Sequence, residues 1–543
     1  MNNSFDPSNF KVLVADDSRL VCNSIVVLLR DLGFDSNTII CAYRPTEVIK
    51  HCRDHSFDII ICDYNFNTKL NGYQLLAELK HLNLLSSHTF FAFLTGENQP
   101  KVVRTIIDSE PDDYLLKPFN KLFLSNRLHS GLRRKQTLAA IYEAQHTKDF
   151  ERVLEECDVM LPFHSSYTRH ITELKAKALL ELERYDEAKQ EYVSLLNENC
   201  CDYLKTKLAN VMIIKGEKKA ALNVLNTLEN QDNNPYFHDE MASICISNGN
   251  LPATIEHLKQ ATLLMEAGAE RELIISNLSL ALGIYDEAYQ YIKRYADKNE
   301  DTYRDSNYIT LNYLRCFLYQ FSEIGTTNTF ENQVTNILEK ISIISKQKKL
   351  SLQYTLLDAH IHMIRKDFRQ AYLCMSEISI PENLHFYDYY HIAYILEKLG
   401  LFKDIIRVMN MAKKSIRNEQ IYHIKFSQEH MLTSFEHEYR RKQEKILAIK
   451  SEITKLGNSK DQDGMVYLDL YIPLRKLMPN STKVCLAIIK LIANNNLSFK
   501  DYRTIFNLIS ECNKVIVSQT SSEKRNEMKY KDIYTKARNS LSS

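Results

Sequence analysis

The 543-residue chain has no tryptophan and only 12 glycines and 11 prolines. Both of the last two oppose helix interiors, so their scarcity points to a mostly helical protein. Net charge is nearly absent too: 69 Lys and Arg stand against 68 Asp and Glu, a formal +1. That excludes a general polyanion binder, whose bulk affinity for nucleic acid or anionic lipid needs clustered excess cation. No run approaches the ~20 apolar residues of a membrane-spanning helix. Twelve cysteines are scattered without a C-x-x-C pair or a zinc-spaced cluster, and the adjacent Cys200 and Cys201 suit neither a strain-free disulfide nor a metal site. Residues 1–10 have no basic segment followed by an apolar one, as a secretory signal would. The expectation is a soluble cytoplasmic protein with reduced thiols. With 44% hydrophobic and 25% charged residues, disorder is excluded, and the length allows two to four domains.

What is present begins with an alternation of strand and helix. Apolar runs at Lys11 to Ala15, Thr38 to Ala42, Phe57 to Cys62, Thr89 to Leu94 and Asp113 to Leu116 are separated by stretches of helical spacing. Near-continuous apolar strands between helices predict a doubly wound, five-stranded parallel sheet covered on both faces. Its notable polar residues all sit at strand C-terminal ends: Asp16 and Asp17, Asp63, Thr95 and Lys117. In open α/β sheets ligands bind at that edge. Three carboxylates gathered there repel one another unless a cation joins them, and oxygen-only ligation favours Mg²⁺. Lys117 and Thr95 supply the positive charge and hydroxyl donor that a phosphoryl group needs.

The runs Val12-Leu13-Val14-Ala15-Asp16-Asp17-Ser18, Asp58-Ile59-Ile60-Ile61-Cys62-Asp63, Phe93-Leu94-Thr95-Gly96 and Tyr114-Leu115-Leu116-Lys117-Pro118-Phe119 resemble, in order and spacing, the four signatures of CheY-like response-regulator receiver domains. The resemblance covers roughly residues 8 to 130. It implies that Asp63 is the phosphoacceptor, that Asp16, Asp17, Asp63 and the backbone carbonyl of Asn65 hold Mg²⁺, that Lys117 contacts the phosphoryl group, and that Thr95 and Tyr114 form the switch pair. One departure is the stretch between Asp63 and Gly72, which has no proline and one residue more than the family pattern.

From about residue 134 the strands stop and the chain repeats. Arg184-Tyr-Asp-Glu-Ala188 returns as Ile284-Tyr-Asp-Glu-Ala288, and Ala188, Ala221, Thr254 and Ala288 are spaced by 33, 33 and 34. Val153 stands one step earlier, while Ala371 and Ile405 resume the frame 34 apart. A second small residue lies twelve positions before most of them (Ala176, Ala209, Ala242, Ala359, Ala393), with Ser276 in its place once. The pattern resembles tetratricopeptide repeats, helix-turn-helix units of about 34 residues. Small residues let paired helices approach, and aromatics after the turn (Tyr185, Tyr285, Phe368, Phe402) wedge between them. Such units stack into a solenoid with a protein-binding groove. The stretch between Ala288 and Ala371 is expected to hold helices at Asn307 to Glu323 and Phe330 to Ile344. After residue 430 the phase is lost, further helices are expected to cap the array, and the Ser- and Lys-rich end after Ser518 is expected to fray. The division is therefore 1–130 receiver, 131–430 repeats and 431–543 cap.

Asp358-Ala-His-Ile-His362 looks like a metal pair, but helix positions i and i+2 point apart, so it is read as structural. Neither a P-loop, nor a zincin helix, nor a nucleophile elbow is present. The expectation is a response regulator phosphorylated by a histidine kinase or phosphotransfer protein. Its output is protein binding by the repeats, and it is no enzyme beyond its own phosphoryl transfer and dephosphorylation. Restraint of its own kinase or of a sister regulator is the alternative, and transcriptional or RNA control through the C-terminal helices is disfavoured by the charge balance. A homodimer is left open.

Overall fold

The computed structural model describes residues 7–268, 270–335, 350–376, 378–457, 464–494 and 502–540. The chain divides into two units, Met1–Ile275 with Tyr295–Asp305 and Ser276–Arg294 with Ser306–Ser543.

The first unit opens with five strands, β1 (Val12–Ala15), β2 (Ile39–Ala42), β3 (Ile59–Asp63), β4 (Phe90–Thr95) and β5 (Asp113–Leu116). All pair in parallel in the order β2-β1-β3-β4-β5. Alternate residues serve opposite faces, as the pleat requires. Val12, Val14, Ile59 and Ile61 pack against α1 (Arg19–Asp31) and α5 (Lys121–Thr137). Leu13, Ile60, Phe91 and Phe93 pack against α2 (Pro45–Asp54), α3 (Gly72–His81) and α4 (Pro100–Asp108). Helix α5 lies so close to the sheet that a Cβ on Gly131 would meet the Phe90 ring at 2.0 Å. It runs through position 130 to Thr137, so the helical array continues directly from it.

Antiparallel helix pairs follow: α6 (Ala139–His146) with α7 (Phe150–Met160), α8 (Thr168–Glu181) with α9 (Tyr185–Glu198), α10 (Asp202–Ile214) with α11 (Lys218–Leu225), and α12 (Pro235–Ser247) with α13 (Leu251–Leu264). One apolar core runs through α6 to α12, from Leu138 to Ile244. The phase-defining residues Ala176, Ala188, Ala209, Ala221, Ala242 and Thr254 are all buried, which is why the repeat keeps them small. Helices α14 (Glu270–Ala281) and α15 (Tyr285–Asn299) continue the pattern, and the division between the units falls within them.

In the second unit the tetratricopeptide-like pairs resume at Ser351–Ile364 with Phe368–Ser376 and Phe386–Leu399 with Ile405–Ile416, again with Ala359, Ala371, Ala393 and Ile405 buried. The helix expected at Asn307 to Glu323 spans Asn307–Ile324, while the one expected at Phe330 to Ile344 is helical over 328–335 and otherwise lies outside the described residues. His360 and His362 part company as helical spacing requires. Buried His360 is hydrogen-bonded to His391 (2.9 Å) and Ser322 (2.7 Å), whereas His362 lies near Asp358. Position 430 falls inside one 36-residue helix, Tyr422–Gly457. There Lys442 pairs with Glu397 at 2.5 Å.

The expectation of a frayed end needs correction. Residues Ser522–Glu527 and Tyr530–Asn539 are helical, and Tyr530 and Ala537 are buried in the core formed by Thr482–Asn494 and Tyr502–Gln519. Tyr530, Ile533, Tyr534 and Ala537 recur at helical spacing, so this lysine-rich segment has an apolar stripe to bury.

Candidate functional site

Four of the five strands, β1, β3, β4 and β5, deliver a polar residue to the same edge. Asp16 follows β1, and its Oδ1 accepts from the Ser18 amide at 2.8 Å, which fixes the carboxylate as α1 begins. Asp63 closes β3 and accepts from the Asn65 amide at 3.2 Å. Lys117, after β5, is anchored by its own amide on the Thr95 carbonyl at 2.8 Å. Its Nζ reaches Asp16 Oδ2 and Asp63 Oδ1, both at 2.7 Å. Asp16 and Asp63 are buried and Asp17 is exposed.

Burial pushes the Asp63 carboxyl above its ordinary range. The hydrogen bond and charge of Lys117 oppose this, and the Asp16 charge adds to it. For Lys117, burial alone would favour the neutral amine, but the hydrogen bonds and charges of Asp16 and Asp63 outweigh it and hold the ammonium above its usual value. One cation faces three carboxylates, so the pocket keeps a negative surplus.

Oxygen atoms of Asp16, Asp17 and Asp63 lie within 4.8 Å of one another. Lys117 engages only one oxygen of Asp16 and one of Asp63, and this all-oxygen, acid-rich donor set fits Mg²⁺. Thr95 is buried at the end of β4, and its Oγ1 accepts from the Glu97 amide at 3.0 Å. Tyr114 is half-buried in β5, in register with Phe93.

The loop after Asp63 carries two features that residue types did not announce. Asn67, at φ 49°, donates from Nδ2 to Asp17 Oδ2 at 2.8 Å and so ties the loop to the acidic pair. Gly72, which starts α3, approaches the strand so closely that a Cβ there would lie 2.5 Å from the Asp63 carbonyl. Asparagine's tolerance of left-handed backbone was the one available signal for the first.

Residues 12–129 match the family model described as Response regulator receiver domain. This segment is a receiver domain. Among curated proteins, Response regulator RR06 of Streptococcus pneumoniae is 24% identical over 40% of this chain and 96% of its own length. Regulatory protein VanRc of Enterococcus gallinarum is 27% identical over 23% of this chain and 51% of its own, and probable transcriptional regulator ycf27 of Cyanidium caldarium is 31% identical over 23% and 47%. The chain thus spans about half the length of the latter two. Among solved structures, chemotaxis protein CheY4 of Vibrio cholerae is 25% identical over 23% of this chain and 98% of its own, with a TM-score of 0.21. One titled APC/C hetero-tetramer Cut9-Hcn1 covers 78% of this chain and 89% of its own at 14% identity and a TM-score of 0.42. Among the described residues no helix is long and apolar enough to cross a membrane.

The receiver does not stand clear of the repeats. Within the first unit, α3 and α4 meet the array directly: Tyr236 Oη donates to Asp108 Oδ1 at 3.1 Å, and the Tyr303 amide donates to Glu78 Oε2 at 2.7 Å. These two helices begin after the loops that leave β3 at Asp63 and β4 at Thr95, so they link the acidic pocket to the array. Sequence reasoning left this arrangement undecided, because no local pattern encodes which face of one domain meets another.

Proposed function

We propose that the chain is a two-component response regulator whose output is protein binding by the repeat array. A histidine kinase or phosphotransfer protein presents a phosphohistidine. A carboxylate oxygen of Asp63 attacks in line as the P–N bond breaks, and the imidazole leaves as the nitrogen takes a proton. Asp16, Asp17, Asp63 and the Asn65 carbonyl would hold Mg²⁺, which when bound neutralises phosphoryl oxygens. Lys117 orients Asp63 beforehand and then faces the transferred group. The Thr95 hydroxyl can turn from the Glu97 amide to donate to the phosphoryl oxygen, and the Tyr114 ring follows into the space it leaves. No further catalytic turnover is assigned to the chain beyond hydrolysis of its own acyl phosphate.

The observation that carries this reading is the single lysine held at 2.7 Å from both Asp16 and Asp63 at the end of the sheet. A purely structural ion pair would need one carboxylate; two carboxylates and an exposed third make a site for a divalent cation and a phosphoryl group. The test is incubation of the full chain with acetyl phosphate and Mg²⁺, followed by intact mass. The wild type should gain one phosphoryl group and Asp63→Asn none. Equal labelling of both, or labelling of neither, refutes the reading.

A further inference from the structure

The C-terminal end of the receiver's α4 faces helices α8, α10 and α12 of the repeats, and the side chains that meet there are of complementary kinds. The α4 end offers carboxylates, and the repeats offer cations and phenols. Asp108 accepts from the Tyr236 hydroxyl at 3.1 Å, and Glu110 just beyond α4 pairs with Lys177 at 2.5 Å. Lys207 lies over the rings of Tyr203 and Tyr236, with centroids at 5.4 and 5.6 Å, on the same surface. The α13–α14 connection completes the grip. The Glu266 amide donates to Thr105 Oγ1 at 3.0 Å, and Arg104 donates to the Leu264 carbonyl at 3.3 Å.

This junction is not sealed like a core. It leaves an open cleft of about 540 Å³ whose lining includes Lys80, Arg134, His170, Lys177 and Lys207. The Arg134 Nε there is buried without a hydrogen-bond partner. A charged contact with this much open volume is exchangeable, as contacts between domains of one chain commonly are. It is also joined to the phosphoacceptor by a short path. Tyr64, the residue after Asp63, packs edge-on against Phe93 with ring centroids 6.0 Å apart. Its hydroxyl is buried beside Thr105, the α4 residue that accepts from the Glu266 amide.

We infer that the surface formed by Lys177, Tyr203, Lys207 and Tyr236 is a docking site for the acidic C-terminal end of a helix, that the chain's own α4 occupies it in the resting protein, and that a partner helix with carboxylates at matching positions takes it when phosphorylation of Asp63 loosens α4. The inference rests on the proposed function and names the class of partner and the reason binding depends on phosphorylation. The physical argument is competition. A site filled by a tethered segment shows its full affinity only in the fraction of molecules where that segment has left. Charge complementarity selects the occupant: a neutral or basic helix end would leave Lys177 and Lys207 uncompensated.

The test uses the full chain and a fluorescein-labelled peptide of residues 97–113, read by anisotropy. The peptide should bind the resting wild type weakly. It should bind the double variant Asp108→Ala, Glu110→Ala about tenfold more tightly, and adding Lys177→Ala and Lys207→Ala should reverse the gain. Wild type shown by mass to carry the acyl phosphate should also bind about tenfold more tightly. If the double variant gains nothing, or if the peptide with Asp108 and Glu110 replaced by Ala binds as well, the docking site is refuted. If the variants behave as expected but acetyl phosphate yields no acyl phosphate, the docking site stands and the phosphorylation reading fails.

Discussion

Lys117 is one ammonium shared by two buried carboxylates, and much of the site's chemistry turns on that sharing. In Lys117→Ala, Asp16 and Asp63 would face each other without a counter-charge, and the incoming phosphoryl group would lose the lysine's positive charge. Labelling by acetyl phosphate should fall about 100-fold, the order seen when one preorganised electrostatic donor is removed. Intact mass over a time course checks this. The raised pKa of Asp63 gives a second expectation. The nucleophile is the ionised carboxylate, so acidification protonates it and slows labelling. In the metal-free protein burial moves the group upward, so the Asp63 carboxyl followed by NMR should titrate with a midpoint above the ~3.9 of an exposed aspartate. A midpoint at or below that value would contradict the burial of the group. Chelation of divalent cations should suppress labelling at every pH if the three aspartates hold Mg²⁺.

At the level of elements, close approach decides which positions tolerate change. A Cβ on Gly72 would meet the Asp63 carbonyl at 2.5 Å and the Tyr64 Cα at 2.9 Å, both backbone atoms that cannot step aside. Gly72→Ala should therefore shift the loop between β3 and α3 and cost about 1–3 kcal/mol. Gly96→Ala, with nothing within 4 Å, should leave stability close to unchanged. Chemical denaturation of the two variants separates them. The same reasoning applies at the C-terminus. Tyr530 is 4% exposed, so Tyr530→Ala should destabilise the second unit by about 3–5 kcal/mol, comparable to truncation of other buried aromatics. A frayed tail would show no such loss.

For the molecule as a whole, two backbone amides of the array donate to receiver side chains: Glu266 to Thr105 and Tyr303 to Glu78. They are reporters built into the junction. If phosphorylation of Asp63 loosens α3 and α4, hydrogen exchange at both amides should rise in the labelled protein, while amides inside α8 and α10 stay protected by their own helices. Unchanged exchange at both would mean that the pocket and the array act independently. His81 stacked on the Tyr303 ring at 4.1 Å adds a second contact on the α3 side that the same experiment reads.

Much of this was legible in the chain itself. Parallel strands followed from apolar runs that lack alternation, the pocket from acids and a lysine at strand ends, and the paired helices from small residues recurring at 33 or 34. These are local or periodic features, fixed by the pleat, the helix turn and the volume available where two helices cross. Tertiary structure alone decided that Asn67 reaches Asp17, that the last lysine-rich segment folds onto Thr482–Asn494, and that α4 lies against Lys177 and Tyr236. Each is a contact between segments far apart in sequence: Asn67, Asp17, Asp108 and Lys177 would be equally at home in solvent, and the apolar stripe of Tyr530, Ile533, Tyr534 and Ala537 shows that a face is buried without selecting the helices that cover it.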